Sequence, residues 1–374
     1  MMTKLQQLFE EQGQSPWLDN LTRGHLLRGE LERLVAAGVR GVTSNPTIFA
    51  NAISASQDYD GQFESLMKGE KNVTDAYWTM VIDDIRRALA VLRRIYDSSK
   101  GGDGFVSVEL APELAHHTGG SIAEARALHE RIDAPNLFVK IPATPEGVPA
   151  IRQMIAERHN INITLIFSLE RYDEVIDAYL SGLEAHTGDL GSVHSVASFF
   201  VSRVDNEVDR RLEAIGTPDA LALRGKAAVA QAKAAYRLFR RRFSGSRWEE
   251  LVARGARLQR PLWASTSTKN ASYPDTLYVD RLIGPNTINT MPEKTIIAFE
   301  DHGVVAPTIE DQADEAELLL QRLEEIGVSM ADVGLTLEEQ GVALFIKSFD
   351  DLLETLESKR ADLARRPGGT RSRV

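Results

Sequence analysis

LFVKIPATPEGVPAI, residues 137–151, begins with a strand-like run that contains a lysine and stops at a proline. Because side chains along a strand alternate between its two faces, Leu137, Val139 and Ile141 share one face and Lys140 lies on the other. A buried ammonium group is costly unless it is paired or neutralised. Lys140 is therefore either an exposed group on an edge strand or a buried group with a chemical role.

Short strand-like segments alternate with longer helical segments along the chain. Eight segments have strand character: 16–20, 38–45, 104–110, 137–143, 161–168, 194–201, 260–266 and 286–292. The clearest helical segments are 75–97, 121–132, 168–187 and 225–243. Such alternation is typical of parallel strands joined by crossover helices, and a closed eight-stranded barrel of this kind takes about 250 residues. The sequence therefore predicts an α/β fold, a (β/α)8 TIM barrel with extra helices.

The surplus length predicts where those extra helices lie. We expect one before the first strand, one within 46–70 and one or two at the C-terminal end. Since no linker rich in Pro, Gly or Ser divides the chain, we expect a single catalytic domain over 1–364. The polar, basic segment 365–374 is typical of a disordered tail.

Composition excludes several classes of function. Of the 374 residues, 43 are Lys or Arg and 54 are Asp or Glu, which gives a net charge of −11 and argues against a nucleic-acid partner. The absence of cysteine excludes disulfides and thiolate metal sites. No phosphate-binding glycine motif or HExxH motif is present, so we expect neither cofactor nor metal. Without a signal peptide or a long apolar stretch, a cytoplasmic protein with no membrane contact is expected.

Polar side chains of the predicted strands fall on the face opposite the apolar one. In INITLIF, residues 161–167, the apolar side chains up to and including Phe167 share one face, and Asn162 and Thr164 share the other. The same alternation places Glu109 on the polar face of FVSVEL. Helices cover the outside of a barrel, so the polar faces point inward, toward the mouth where barrel enzymes build their sites. The residues expected to converge there are Asp19, Thr43, Asn45, Glu109, Lys140, Asn162, Thr164 and Ser198.

This set of side chains can support one particular chemistry. A neutral amine attacks a ketone to give a Schiff base, whose iminium accepts electrons when the neighbouring carbon–carbon bond breaks. Glu109 and Asp19 are suitable proton donors and acceptors, and Thr164 could hold a water between them. Arg203 and Lys269 follow the sixth and seventh strands and are candidates to bind a sugar phosphate; the alternative for Arg203 is a surface ion pair with Asp205 or Glu207.

Five segments occur in order along the chain: GVTSNPTIF, FVKIPATPEG, INITLIFS, SVASFFVSRVD and WASTSTKN. Together they resemble the transaldolase family, and in particular its longer bacterial branch, over residues 16–350. The resemblance implies that Lys140 forms the Schiff base. It places the acidic pair and the water-binding threonine on Asp19, Glu109 and Thr164. It places substrate contacts on Thr43, Asn45, Asn162, Ser198, Phe200 and the phosphate-binding Arg203.

The chain departs from the family pattern at two positions. TSNP replaces the common TTNP, but Ser44 points outward by the alternation and should have little effect. Many members carry an arginine after an Ala-Ser pair on strand seven, where this chain has ASTSTKN. The second phosphate contact is expected among Ser265, Ser267 and Lys269.

The resemblance implies a transferase of the non-oxidative pentose phosphate pathway. It would move a dihydroxyacetone unit from sedoheptulose 7-phosphate or fructose 6-phosphate to glyceraldehyde 3-phosphate or erythrose 4-phosphate, as a monomer or homodimer. Two alternatives stay open: a fructose-6-phosphate aldolase that releases free dihydroxyacetone, and a non-catalytic barrel that binds sugar phosphates.

Overall fold

Eight parallel strands form a closed barrel in which each strand pairs with its neighbours in sequence and β1 pairs with β8. The computed structural model describes residues 2–69 and 71–365. The strands are β1 (Gln14–Asp19), β2 (Val42–Thr43), β3 (Val106–Glu109), β4 (Leu137–Pro142), β5 (Ile161–Ile166), β6 (Ser195–Phe200), β7 (Arg260–Ala264) and β8 (Thr287–Met291). Each overlaps one of the eight predicted segments, and the (β/α)8 TIM barrel is confirmed.

Helices surround the barrel and extend it at both ends. They are α1 (Lys4–Gln12), α2 (Arg23–Leu27), α3 (Glu30–Ala37), α4 (Pro46–Ala55), α5 (Asp60–Lys68), α6 (Val73–Ser98), α7 (Thr118–Ile132), α8 (Gly147–Ala156), α9 (Leu169–Ala185), α10 (Ser202–Ile215), α11 (Pro218–Leu221), α12 (Ala227–Arg242), α13 (Ser246–Val252), α14 (Leu277–Asp280), α15 (Glu293–His302), α16 (Ala313–Glu325) and α17 (Met330–Arg365). The helix expected before the first strand is α1, and those expected at the C-terminal end are α16 and α17. Within 46–70, where one helix was expected, the structure has two, α4 and α5. Of the predicted tail, 366–374 lies outside the described residues.

The predicted alternation of β4 holds along the whole strand. Leu137, Val139 and Ile141 are fully buried, and α7 and α8 pack on this strand from outside. Each such buried side chain stabilises the fold by roughly 1.5–3 kcal/mol. β4 is hydrogen-bonded to β3 on one side and to β5 on the other, so the edge-strand explanation for Lys140 is wrong.

Aromatic rings fill the barrel below its mouth. The rings of Trp17 and Phe138 are 6.3 Å apart between centroids, and Phe138 stacks on Phe105 at 4.3 Å. Gly41 is required beside them, because a Cβ at this position would lie 2.3 Å from the Trp17 ring. The site above therefore rests on a rigid apolar base.

Strand β5 breaks the expected alternation near its end. Ile163 pairs with Ala197 and Ile166 pairs with Phe199, so two residues of β5 face one residue of β6. Leu165, inside this bulge, has a φ of 59°, in the left-handed region. The faces reverse after the bulge, and Phe167 packs against Phe200 of the inner face at 5.0 Å. The prediction that Phe167 shares the outer face was wrong.

The C-terminal helix α17 has 36 residues and contacts α4, α6, α10 and β5. A helix of this length spans about 54 Å. These contacts place its central part over the carboxyl ends of the strands. None of the helices in the described part of the chain has the length and apolar character needed to cross a membrane.

Candidate active site

A cavity of about 80 Å³ opens at the carboxyl ends of the strands. Its walls come from seven of the strands, from the segments that follow them and from α17. The lining residues are Asp19, Thr43, Asn45, Lys140, Thr164, Ser198, Phe200, Arg203, Leu262, Ala264, Ser265, Thr290 and Phe345. Nine of the thirteen residues singled out in the sequence therefore line one cavity.

Lys140 lies at the base of this cavity beside a carboxylate. The register of β3 and β4 makes Glu109 the direct neighbour of Lys140, and the lysine Nζ is 2.9 Å from Glu109 Oε2. Nζ also donates a hydrogen bond to the carbonyl oxygen of Ser44 at 3.1 Å. Lys140 and Glu109 are 4% and 6% exposed. A lysine and a carboxyl group are thus held together away from bulk water.

Burial changes the protonation behaviour of both carboxyl groups of the site. It raises the pKa of Glu109, and the nearby Lys140 ammonium offsets this rise in part. Burial also raises the pKa of Asp19, whose carboxylate accepts a 2.8 Å hydrogen bond from the Thr43 hydroxyl. A carboxyl group with a raised pKa exchanges protons closer to neutral pH, as general acid–base catalysis requires.

Hydroxyl and amide groups complete the polar walls. The Thr164 hydroxyl is buried and has no hydrogen-bond partner among the described residues, so it is available to a molecule in the cavity. Asn45 caps α4 by accepting from Ile48 N at 2.9 Å through its side-chain oxygen, which leaves its amide nitrogen to donate. This cap follows from the sequence, because asparagine before proline is a favoured helix start.

Asn162 does not line the cavity and acts one layer below it. Its side-chain oxygen accepts from the Ser198 hydroxyl at 2.7 Å, and its amide nitrogen donates to the Ser107 hydroxyl at 3.0 Å. Because Asn162 is fully buried, it fixes the direction of the Ser198 hydroxyl. Asn162 therefore positions Ser198, and its expected contact with substrate stays a prediction.

Arg203 lies at the start of α10, on the edge of the cavity. Its guanidinium carbon is 5.3 Å from the centre of the Phe200 ring, and it has neither a hydrogen bond nor an ion pair with any described residue. Glu207 is occupied by two other arginines of α10, and Asp205 accepts from Tyr278 and from a backbone amide. The surface ion pair considered from the sequence is therefore absent.

The three candidates that follow strand seven lie at different depths. Ser265 lines the cavity, and its hydroxyl is 2.9 Å from the Ser202 hydroxyl. Ser267 is buried, and its hydroxyl accepts from Lys269 Nζ at 2.8 Å. Lys269 is exposed and lies outside the cavity wall. The structure brings Ser265 to the site directly and leaves Lys269 at its outer rim.

Three residues of the site were missed in the sequence. Thr290 lines the cavity and its hydroxyl is 2.7 Å from that of Thr43; its position in NTINTMP could have revealed it by the same alternation. Ser107 was on the correct face of β3 but was not singled out. Phe345 comes from α17, and no strand pattern points to it.

The sequence is similar to proteins of one family along nearly its whole length. The family model described as Transaldolase/Fructose-6-phosphate aldolase matches residues 16–356. A protein named transaldolase from Parafrankia sp. (strain EAN1pec) is 50% identical over 357 residues, which cover 94% of this chain and 97% of that protein. The transaldolase of Thermobifida fusca (strain YX) is 50% identical over 366 residues, 96% of this chain and 99% of its own length. That of Mycobacterium leprae (strain TN) is 48% identical over 359 residues, 94% and 96% respectively.

Proposed function

The chain belongs to the transaldolase/fructose-6-phosphate aldolase family and is an enzyme with transaldolase function, and we propose that Lys140 is the residue that carries the reaction. The observation that supports this is the pair of buried groups at the base of the cavity, with Lys140 Nζ 2.9 Å from Glu109 Oε2. Glu109 can accept the proton that the ammonium must lose before it attacks. The neutral amine then adds to the ketone carbon of a sugar phosphate.

Glu109 and Asp19 divide the proton transfers according to their positions. Glu109 contacts the amine. It therefore transfers protons in the step in which the first adduct loses water and becomes the Schiff base. Asp19 lines the cavity without contacting the amine, so it takes the proton from the substrate hydroxyl beside the bond that breaks. The electrons of that bond move to the iminium, an aldehyde leaves, and a three-carbon enamine stays bound to Lys140. A second aldehyde then reverses these steps.

Arg203 binds the phosphate of the substrate. It is the cation on the cavity edge that has no carboxylate partner among the described residues. A planar guanidinium binds two phosphate oxygens at once, which gives both affinity and orientation. Sugar phosphates such as fructose 6-phosphate and sedoheptulose 7-phosphate are the proposed donors, with erythrose 4-phosphate or glyceraldehyde 3-phosphate as acceptors. We also propose a cytoplasmic monomer or homodimer.

The experiment that tests this assignment compares two lysine variants in a transfer assay. Lys140→Met, given fructose 6-phosphate and erythrose 4-phosphate, should lose about 10⁴-fold or more in turnover. Lys347→Met provides the control, because Lys347 is exposed on α17 and paired with Asp351. Equal turnover in both variants would show that another group attacks the donor.

A further inference from the structure

One wall of the cavity comes from outside the barrel. Phe345 lies in the middle of α17, lines the cavity together with Phe200, and is 3% exposed. We propose that Phe345 is a specificity-determining residue that keeps the three-carbon enamine on Lys140 away from water, so that the unit is transferred to an aldehyde and not released. This inference rests on the proposed role of Lys140.

The helix lies close to the mouth one turn before Phe345. A Cβ added to Gly341 would lie 3.0 Å from Leu165 Cδ2 and 3.6 Å from Arg203 Nη1. Residues four apart lie on the same face of a helix, so Phe345 follows Gly341 on the side that faces the barrel. The glycine permits the close approach, and the phenyl ring then forms part of the cavity wall.

The part of α17 just after Phe345 contacts α4, which begins directly after the site residue Asn45, and α6. The Thr47 hydroxyl donates to the Ser348 hydroxyl at 2.8 Å, and Thr47 lies on α4, two residues after Asn45. On the other side, Phe349 meets the Tyr77 ring of α6 edge-on, with 5.2 Å between ring centroids. Phe345 is therefore fixed relative to the walls that the barrel supplies.

Ion pairs hold the helix at both ends of this region. Arg171 of α9 pairs with Glu338 at 3.2 Å, and Lys359 pairs with Asp60 at the start of α5 at 2.9 Å. The Glu338 carboxylate is almost fully buried. With anchors before and after it, Phe345 acts as a preformed wall of the cavity and needs no closing motion.

The enamine on Lys140 has two possible fates, and water decides between them. Attack of its nucleophilic carbon on an aldehyde carbonyl forms a new carbon–carbon bond, which is transfer. If that carbon instead takes a proton, the resulting iminium adds one water molecule and breaks its carbon–nitrogen bond, giving free dihydroxyacetone and the free lysine. Excluding water from the enamine favours transfer. Truncating the phenyl ring in the wall enlarges the cavity of about 80 Å³ and gives additional water access to the enamine.

The test compares two neighbouring residues of α17. Phe345→Ala and the control Leu344→Ala are assayed for free dihydroxyacetone released from fructose 6-phosphate alone, and for transfer to erythrose 4-phosphate. Leu344 is 44% exposed, so its truncation should leave both rates unchanged. In Phe345→Ala the ratio of release to transfer should rise about tenfold or more, the size of effect that about 1.4 kcal/mol produces. Phe345→Leu, which keeps part of the apolar wall, should give a smaller rise.

The possible outcomes separate this inference from the proposed function. An unchanged release-to-transfer ratio in folded Phe345→Ala overturns the inference. If the alanine variant does not fold, an unchanged ratio in Phe345→Leu overturns it. Borohydride trapping on the wild-type enzyme is the second readout. If no adduct forms at Lys140, the proposed function fails; if the adduct forms and the ratio does not move, only the role of Phe345 fails.

Discussion

Both ends of the barrel contain buried charged groups, but these groups differ in how far they are paired. We call the end at the amino termini of the strands the floor, and the end at their carboxyl termini the mouth. At the floor, the Asp103 carboxylate accepts hydrogen bonds from the Ser15 hydroxyl, from Trp17 Nε1 at 2.9 Å and from Arg40 Nε at 3.0 Å. Arg260 lies 3.6 Å from it. Asp103 is 1% exposed, and these donors surround it with positive charge and N–H or O–H groups. A buried carboxylate with these partners stabilises the closed barrel.

At the mouth, several buried or half-buried groups can still form hydrogen bonds or ion pairs with a bound molecule. The Thr164 hydroxyl and the Arg203 guanidinium have no hydrogen-bond partner among the described residues, and Lys140 has one carboxylate neighbour together with a backbone carbonyl. Leaving buried polar groups unsatisfied costs about 1–3 kcal/mol each. The floor is thus arranged for stability and the mouth for binding. Substitutions at the floor should therefore lower stability, and substitutions at the mouth should lower activity.

The largest effect is expected from the two carboxyl groups of the mouth. Glu109→Gln and Asp19→Asn should each lower kcat by about 10²–10⁴-fold, the usual contribution of a general acid or base, with little change in melting temperature. Asp205→Asn is the matched control, because Asp205 is a buried carboxyl outside the cavity whose pKa burial raises to about 6. It should keep the wild-type kcat. If both variants keep the wild-type kcat, neither Glu109 nor Asp19 transfers protons in the reaction.

The pH profile should show the same carboxyl groups. Burial raises the pKa of Asp19, and the group must be deprotonated to act as a base, so kcat/KM should rise with pH through this raised pKa. The acid limb should therefore lie above the ordinary aspartate value of about 3.9. Asp19→Asn should remove that limb from its residual activity, and an unshifted limb in this variant would assign it to another group.

At the floor the expected effect is on stability. Asp103→Asn should lower the free energy of unfolding by about 3–5 kcal/mol, because it leaves the partly buried Arg40 and Arg260 without their counter-charge, while the folded fraction keeps its kcat. Asp97→Asn is the control, since Asp97 forms an exposed pair with Arg93 and should cost at most about 1 kcal/mol. Urea denaturation and activity on the same samples measure both quantities. If Asp103→Asn lost kcat and kept its stability, Asp103 would act in the reaction and not in stabilising the barrel.

The smallest effect is expected at the rim of the mouth. Arg203→Ala should raise KM for fructose 6-phosphate by about 10–100-fold, since charge-assisted hydrogen bonds are worth about 1.5–3 kcal/mol, and should affect unphosphorylated fructose far less. Arg210→Ala is the control on the same helix, because Arg210 is exposed and paired with Glu207. If Arg203→Ala leaves the ratio of kcat/KM for the two sugars unchanged, Arg203 does not bind the phosphate, and Lys269 is the next residue to test.

Regular strands made most of the site predictable from the sequence. Lys140 and Glu109 meet because β3 and β4 keep perfect alternation and run in register. The alternation failed in β5, where Leu165 adopts a left-handed backbone conformation. Nothing in the sequence indicates this conformation, so Phe167 was assigned to the wrong face of the strand. Phe345 lay beyond prediction because its position depends on how α17 crosses the barrel, which is decided by long-range contacts such as that between Thr47 and Ser348.

Mapping the covalent adduct tests the role of Lys140 most directly. The enzyme is incubated with fructose 6-phosphate and borohydride, digested, and examined by mass spectrometry. We expect a reduced three-carbon adduct at Lys140 and none at Lys233, a buried lysine that donates instead to the backbone carbonyls of Thr308 and Asp311. An adduct at Lys233, at Lys269 or at Lys294 of α15, with Lys140 unmodified, would show that another lysine attacks the donor.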